Sequence, residues 1–117
     1  MTLDELAARL REFTAAREWE RFHTPKNLAM ALAGEVGELL AELQWMTPEE
    51  ATRVMTDPEA AARMRSELAD VTIYLVRLAD VLDVDLIEAA QVKLDESERR
   101  YNVDDYRGSA RKAPPLS

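Results

Sequence analysis

The amino-acid sequence predicts an all-α helical bundle, on three observations. Only three glycines and five prolines interrupt 117 residues dominated by Ala, Leu, Glu and Arg, which are strong helix formers. Helix-start chemistry recurs along the chain, as Thr or Asp N-caps followed by Pro or by an acid three residues on. No stretch sustains the polar–apolar alternation of a half-buried strand.

Each element follows from its own signals. Thr2-Leu3-Asp4-Glu5 is a capping box that opens a first helix to about Phe22. Thr24-Pro25, an N-cap with Pro at the first helical position, opens a second helix to about Gln44. Thr47-Pro48-Glu49-Glu50 is another box, the start of a short helix or of a longer one. Asp57-Pro58 starts a third long helix to about Leu82, and Asp85-Leu86-Ile87-Glu88 a fourth that ends near Tyr101. Gly108, Pro114 and Pro115 mark residues 102–117 as an extended tail, leaving residues 1–101 as a single all-α domain of four main helices. The second helix carries Leu28, Leu32, Val36, Leu39, Leu40 and Leu43, and the third a still wider apolar surface from Leu68 to Leu82. One stripe suffices for a helix on the outside of a bundle. A wider surface predicts a central helix or burial against a second copy, so a homo-oligomer is expected.

Composition removes whole classes of function. A chain of this length is one domain, near the size where self-association helps stability. With no Cys, disulfides, Cys-ligated zinc, iron–sulfur clusters and thiol catalysis are excluded. A single His excludes sites that need several imidazoles from one chain. No apolar run reaches the roughly 20 residues of a membrane span. The first residues lack the basic-then-apolar order of a signal peptide, so a cytoplasmic protein without membrane contact is expected. The net charge of -8 argues against nucleic acid as a partner. An anionic ligand would need a cation, such as a metal ion, between it and this protein.

Two acidic pairs lie inside the most apolar helices, Glu35-Val36-Gly37-Glu38 and Glu67-Leu68-Ala69-Asp70. Spacing i, i+3 puts both carboxylates of a pair on one helix face. Two such helices side by side would surround one point with four carboxylates, the all-oxygen environment that Mg²⁺ and Mn²⁺ prefer. Other acid-x-x-acid pairs, Asp80/Asp83, Asp85/Glu88 and Asp95/Glu98, read as solvated or capping. Gly34 and Gly37 set the first pair apart, because each helix-interior Gly costs roughly 1 kcal/mol against Ala, a cost that a close approach of another helix or a ligand would justify. Asp70 lies among apolar neighbours, where an unpaired carboxylate is expensive. The structural alternative is that these acids pair with Arg or Lys on neighbouring helices.

Beyond the acidic pairs, the chain contains Phe22-His23-Thr24-Pro25-Lys26-Asn27-Leu28, Gln44-Trp45 and an Arg99-Arg100-Tyr101 ending. With Trp19, the Gly34-to-Leu39 segment and the Glu67-to-Leu75 segment, these resemble the MazG-like all-α nucleotide pyrophosphohydrolases, and among them the dCTP pyrophosphatase branch. The resemblance covers roughly residues 13–112. It implies hydrolysis of a nucleoside triphosphate between the α and β phosphates, most closely dCTP or a 5-modified dCTP, to a monophosphate and pyrophosphate. A nucleotide-pool sanitising role and assembly as a dimer or tetramer come with it. Glu35, Glu38, Glu67 and Asp70 stand where that family holds Mg²⁺, with Mn²⁺ as a substitute. Glu38, with Glu35, is the candidate to orient or deprotonate the attacking water.

The resemblance also implies that Trp19, His23 and Trp45 line the base and sugar pocket. Tyr74 follows the metal-binding Asp by one turn, and Lys93 and Arg100 meet phosphates. Ser97 departs from an Asn common in relatives, and its shorter side chain without an amide donor puts base choice in question. The same chemistry with dUTP or with a broad range of nucleotides is the alternative. For the aromatic residues and His23, ordinary roles in the core or at a helix end remain open. For Lys93 and Arg100 the ordinary role is surface ion pairing. Rivals of other classes are a non-catalytic helical interaction module and a di-iron carboxylate protein. The second is disfavoured because Glu20-x-x-His23 straddles a predicted helix boundary.

Overall fold

Thr2, Thr24, Thr47 and Asp85 each accept a hydrogen bond from the backbone N–H three residues on, at 3.0–3.2 Å. They open four of the helices of the computed structural model, which describes residues 1–116. Six α-helices and two 3₁₀ turns form, with no strand among the described residues. They are α1 (Leu3–Ala16), α2 (Pro25–Leu43), α3 (Pro48–Ala51), α4 (Pro58–Val81), α5 (Leu86–Arg100) and α6 (Val103–Tyr106). The 3₁₀ turns are Glu20–Phe22 and Val54–Thr56. At Thr47 the box is complete, because the Glu50 carboxylate accepts the Thr47 N–H at 3.0 Å in return. Asp57 makes no side-chain cap. Pro58, with no N–H to satisfy and its φ already set, starts α4 there. The chain divides into two compact units, Met1–Asp83 and the residues from Val84 onward.

The first helix stops at Ala16, short of the expected Phe22. Glu18 adopts the left-handed conformation, φ 53°. The Glu18 N–H then reaches the Ala15 carbonyl at 3.0 Å and the Trp19 N–H reaches the Thr14 carbonyl at 3.1 Å. This pair of bonds is the Schellman ending that usually calls for Gly, and the first Gly of the chain is Gly34. With Glu in that position the sequence carried no stop signal.

Within Met1–Asp83, α4 is the axis, packed against α2, α1 and the Val54–Thr56 turn. Ala60, Ala61, Met64, Val76 and Ala79 of α4 are buried, with Leu28 of α2 and Thr14 of α1. α2 and α4 run antiparallel: Arg63 pairs with Glu42, Glu67 approaches Glu38, and Arg77 meets His23 just before α2 begins. α1 lies along α4 with Arg11 paired to Asp80. Much of the wide apolar surface of α4 is uncovered in this chain, with Leu68, Leu75 and Val81 between 37% and 49% exposed.

In the second unit α5 is followed by α6, so the expected extended tail contains one helical turn, capped by Asn102. The rest of the tail is anchored. The Arg100 guanidinium donates to the Ala113 and Pro114 carbonyls, and the Ala113 N–H donates to the Tyr101 hydroxyl at 3.2 Å. Tyr101 and Tyr106 pack edge to face at 5.1 Å.

Candidate active site

The antiparallel contact of α2 with α4 faces the two acidic pairs toward each other. One carboxylate oxygen each from Glu35, Glu38 and Glu67 lie within 4.8 Å of one another. Glu35 Oε2 and Glu67 Oε2 are shut off from water and have no hydrogen-bond partner. Buried polar atoms are nearly always satisfied, so two orphaned oxygens on facing helices point to a missing partner. Asp70, half-buried one turn beyond Glu67, is outside that triangle of oxygens. Its charge is nevertheless felt by both Glu35 and Glu67.

The cluster is electrostatically uncomfortable as it stands. Burial raises the Glu35 carboxyl above its ordinary range, and the Glu38, Asp70 and Glu67 charges add to the rise. Burial likewise raises Glu67, with Glu38, Asp70 and Glu42 adding to it. Among the described residues of this unit, no Arg or Lys pairs with any of the four acids. The basic partners go instead to Glu42 and Asp80. The ion-pair alternative is therefore not realised within the unit. An all-carboxylate donor set with two unsatisfied oxygens fits a hard divalent cation.

The close approach expected at Gly34 and Gly37 is not made by this chain. A Cβ at either position would meet nothing within 4 Å. Both glycines lie on the face of α2 turned away from its neighbours, beside the half-exposed Val36 and exposed Leu40.

Trp19, brought back by the Glu18 turn, packs edge-on to Phe13 at 5.7 Å and lies 6.5 Å from the His23 ring. His23 Nδ1 accepts from Arg77 Nε at 3.0 Å. Burial lowers the His23 pKa from 6.5, and the Arg77 charge lowers it further, against an opposing pull from Glu20. Asp80, expected to be solvated or capping, instead bridges Arg77 and Arg11. Tyr74 is half-buried on α4, in the stripe of Glu67, Asp70, Tyr74 and Arg77. Trp45, just past the end of α2, is 90% exposed and belongs to no core of this chain.

On α5, Lys93, Ser97 and Arg100 fall at i, i+4 and i+7, on one helix face. Lys93 Nζ is 3.6 Å from Glu96, Ser97 is half-buried, and Arg100 is engaged by the tail carbonyls. Three residues near these sites were missed in the sequence. Glu42 continues the face of Glu35 and Glu38 by one turn and is held by Arg63 at 3.0 Å. Arg77 is 92% buried by its neighbours (8% exposed), and Asp80 holds it in place. The available signal was a lone Arg in the apolar run from Val71 to Leu82, in register with Glu67, Asp70 and Tyr74.

The model of the MazG-like family matches residues 31–115. The bovine dCTP pyrophosphatase 1 is 46% identical over 115 residues, 98% of this chain and 68% of that protein. The human dCTP pyrophosphatase 1 is 45% identical over the same extent. A solved pyrophosphatase from Archaeoglobus fulgidus matches with a TM-score of 0.79 and 41% identity, over 85% of this chain and 91% of that one. The chain carries the all-α fold and both facing acidic pairs, and it belongs to the MazG-like family.

Proposed function

We propose that this protein is a dCTP pyrophosphohydrolase, which consumes one water to cleave the α–β anhydride of dCTP or a 5-modified dCTP and releases the monophosphate and pyrophosphate. The observation that carries the reading is the pair of orphaned carboxylate oxygens on Glu35 of α2 and Glu67 of α4, two residues that together with Glu38 bring one oxygen each within 4.8 Å of one another. Relatives named dCTP pyrophosphatase 1, similar over 98% of the chain, support the substrate.

Glu35, Glu38, Glu67 and Asp70 would hold Mg²⁺, or Mn²⁺ in its place. Bound there, the cation neutralises phosphate charge and lowers the barrier to hydrolysis. Glu38, exposed where Glu35 and Glu67 are half-buried, is the carboxylate open to orient and deprotonate the attacking water. Trp19 offers an aromatic face to the base and His23 a polar ring atom to the nucleoside, whereas Trp45, past the other end of the 19-residue α2, would meet the base only from a second copy of the chain. Tyr74 lies between His23 and the acids along α4. Lys93, Ser97 and Arg100 are the residues of α5 proposed to meet the substrate. Arg100 would exchange backbone carbonyls for phosphate oxygens.

A homo-oligomer, dimer or tetramer, belongs to the same reading. Val36, Leu40, Leu68 and Leu75 leave apolar area uncovered on α2 and α4, and a second copy would bury it. No helix is long and apolar enough to cross a membrane. The reading places the enzyme in the cytoplasm, as a sanitiser of the nucleotide pool.

Incubation with Mg²⁺ and a panel of dCTP, 5-methyl-dCTP, dUTP, the other deoxynucleotides and the ribonucleotides tests the proposal. Monophosphate and pyrophosphate from dCTP and its 5-modified form are expected. The same products from dUTP or from the whole panel would keep the chemistry and move the base preference, which Ser97 makes the sensitive point. Orthophosphate would reject α–β cleavage, and no turnover at all would leave the helical interaction module.

A further inference from the structure

We infer that Arg77 is a positioning residue, which fixes His23 as the neutral tautomer protonated on Nε2 so that the ring offers a hydrogen-bond donor, beside the Trp19 indole, to an acceptor atom of the nucleoside. The identity of that ligand rests on the function proposed above. The tautomer rests on geometry alone.

A guanidinium has only donors. Arg77 Nε lies 3.0 Å from His23 Nδ1, so Nδ1 must present its lone pair, and the proton of a neutral imidazole is left on Nε2. A protonated ring would set a second donor and a second positive charge against the guanidinium. Arg77 cannot easily turn away. Its side chain is buried, its Nη1 is 3.4 Å from Asp80 Oδ2, and the other Asp80 oxygen is held by Arg11 from α1. The lowered His23 pKa agrees with this arrangement. The nitrogen left free to donate belongs to a half-exposed ring next to a half-exposed Trp19.

The placement along α4 suits one end of a nucleotide. Arg77 follows Asp70 by seven residues, two turns, so it stands on the same face about 10 Å farther along the helix. The triphosphate would lie at the acids and the nucleoside at His23. A neutral Nε2–H donates to a ring carbonyl, ring nitrogen or hydroxyl oxygen and repels an amino group, so its direction contributes to the choice of base.

Because the chain has one His, ¹⁵N-histidine labelling gives a spectrum with a single imidazole. At pH 7 the wild-type protein should show a protonated Nε2 and an unprotonated Nδ1. Arg77→Met should give a mixture of tautomers and raise KM for dCTP roughly 3- to 10-fold, the scale of one neutral hydrogen bond, with kcat little changed. Arg77→Lys, which keeps the charge and a donor, should restore most of both. A wild-type ring protonated on Nδ1 would overturn the inference, as would Arg77→Met with an unaltered tautomer and KM. If Arg77→Met fails to fold, the wild-type spectrum and Arg77→Lys still decide. Absence of turnover by the wild-type protein would remove the proposed function, while the spectrum would still decide the tautomer.

Discussion

Glu35 on α2 and Glu67 on α4 each hold a carboxylate oxygen out of water and without a hydrogen-bond partner, and the two side chains reach within 4.8 Å of each other. Two helices are thus packed together around mutual repulsion. Such an arrangement persists when the rest of the packing outweighs it, and it is relieved by a cation.

Glu67→Gln should therefore stabilise the metal-free protein and abolish the rise in melting temperature that Mg²⁺ gives the wild type. The pH dependence has a definite sign. Both carboxyls have folded-state pKa values raised above the ordinary 4.5, so their contribution favours the fold below pH 4.5 and is lost as pH rises through the folded values. Without metal, wild type should lose stability relative to Glu67→Gln across that rise. Thermal melts of both proteins, with and without Mg²⁺, check this. An equal Mg²⁺ increment in the variant would contradict it.

Glu38→Gln keeps the shape of the triangle and removes its exposed charge. Turnover should fall roughly 10²- to 10⁴-fold, the range of a positioned general base, with the circular dichroism spectrum unchanged. Activity near wild type would take Glu38 out of the chemistry.

Trp45→Ala removes a side chain that is 90% exposed. Its folding stability should stay within about 0.5 kcal/mol of wild type, as for surface positions. Stacking on a base contributes about 1–3 kcal/mol, so KM should rise roughly 5- to 160-fold. Urea denaturation and steady-state kinetics on the same preparation separate the two effects. A normal KM would leave Trp45 to some other contact.

Glu18→Gly should stabilise the protein by about 0.5–1 kcal/mol, since a side chain in the left-handed region is strained and Gly is not. The φ of 53° at Glu18 makes this the place to test. A shift of the urea midpoint to higher concentration at constant slope is the expected result.

What the sequence revealed was local. The N-caps at Thr2, Thr24, Thr47 and Asp85 involve residues three apart, and so do the acidic pairs, so pattern alone located them. The break after Ala16 was hidden because Glu18 does by strain what Gly does freely. The His23–Arg77 bond spans 54 residues, and nothing near either residue announces the other. Asp80 looked like one more solvated or capping acid, and only the packing of α1 on α4 turns it into a bridge between two arginines. Gly34 and Gly37 were visible as anomalies, but their explanation does not lie within this chain.

The grip of Arg100 on the carbonyls of Ala113 and Pro114 has a consequence for how this protein can vary. Those acceptors are backbone atoms, which every amino acid supplies. Substitutions across the last residues should leave the grip intact, provided the chain still reaches. An insertion or deletion between Tyr106 and Ala113 changes the distance the chain must cover and slides a different carbonyl under the guanidinium. The tail is thus constrained in length more than in lettering, and its spacing from α6, not its composition, is what the fold has to preserve.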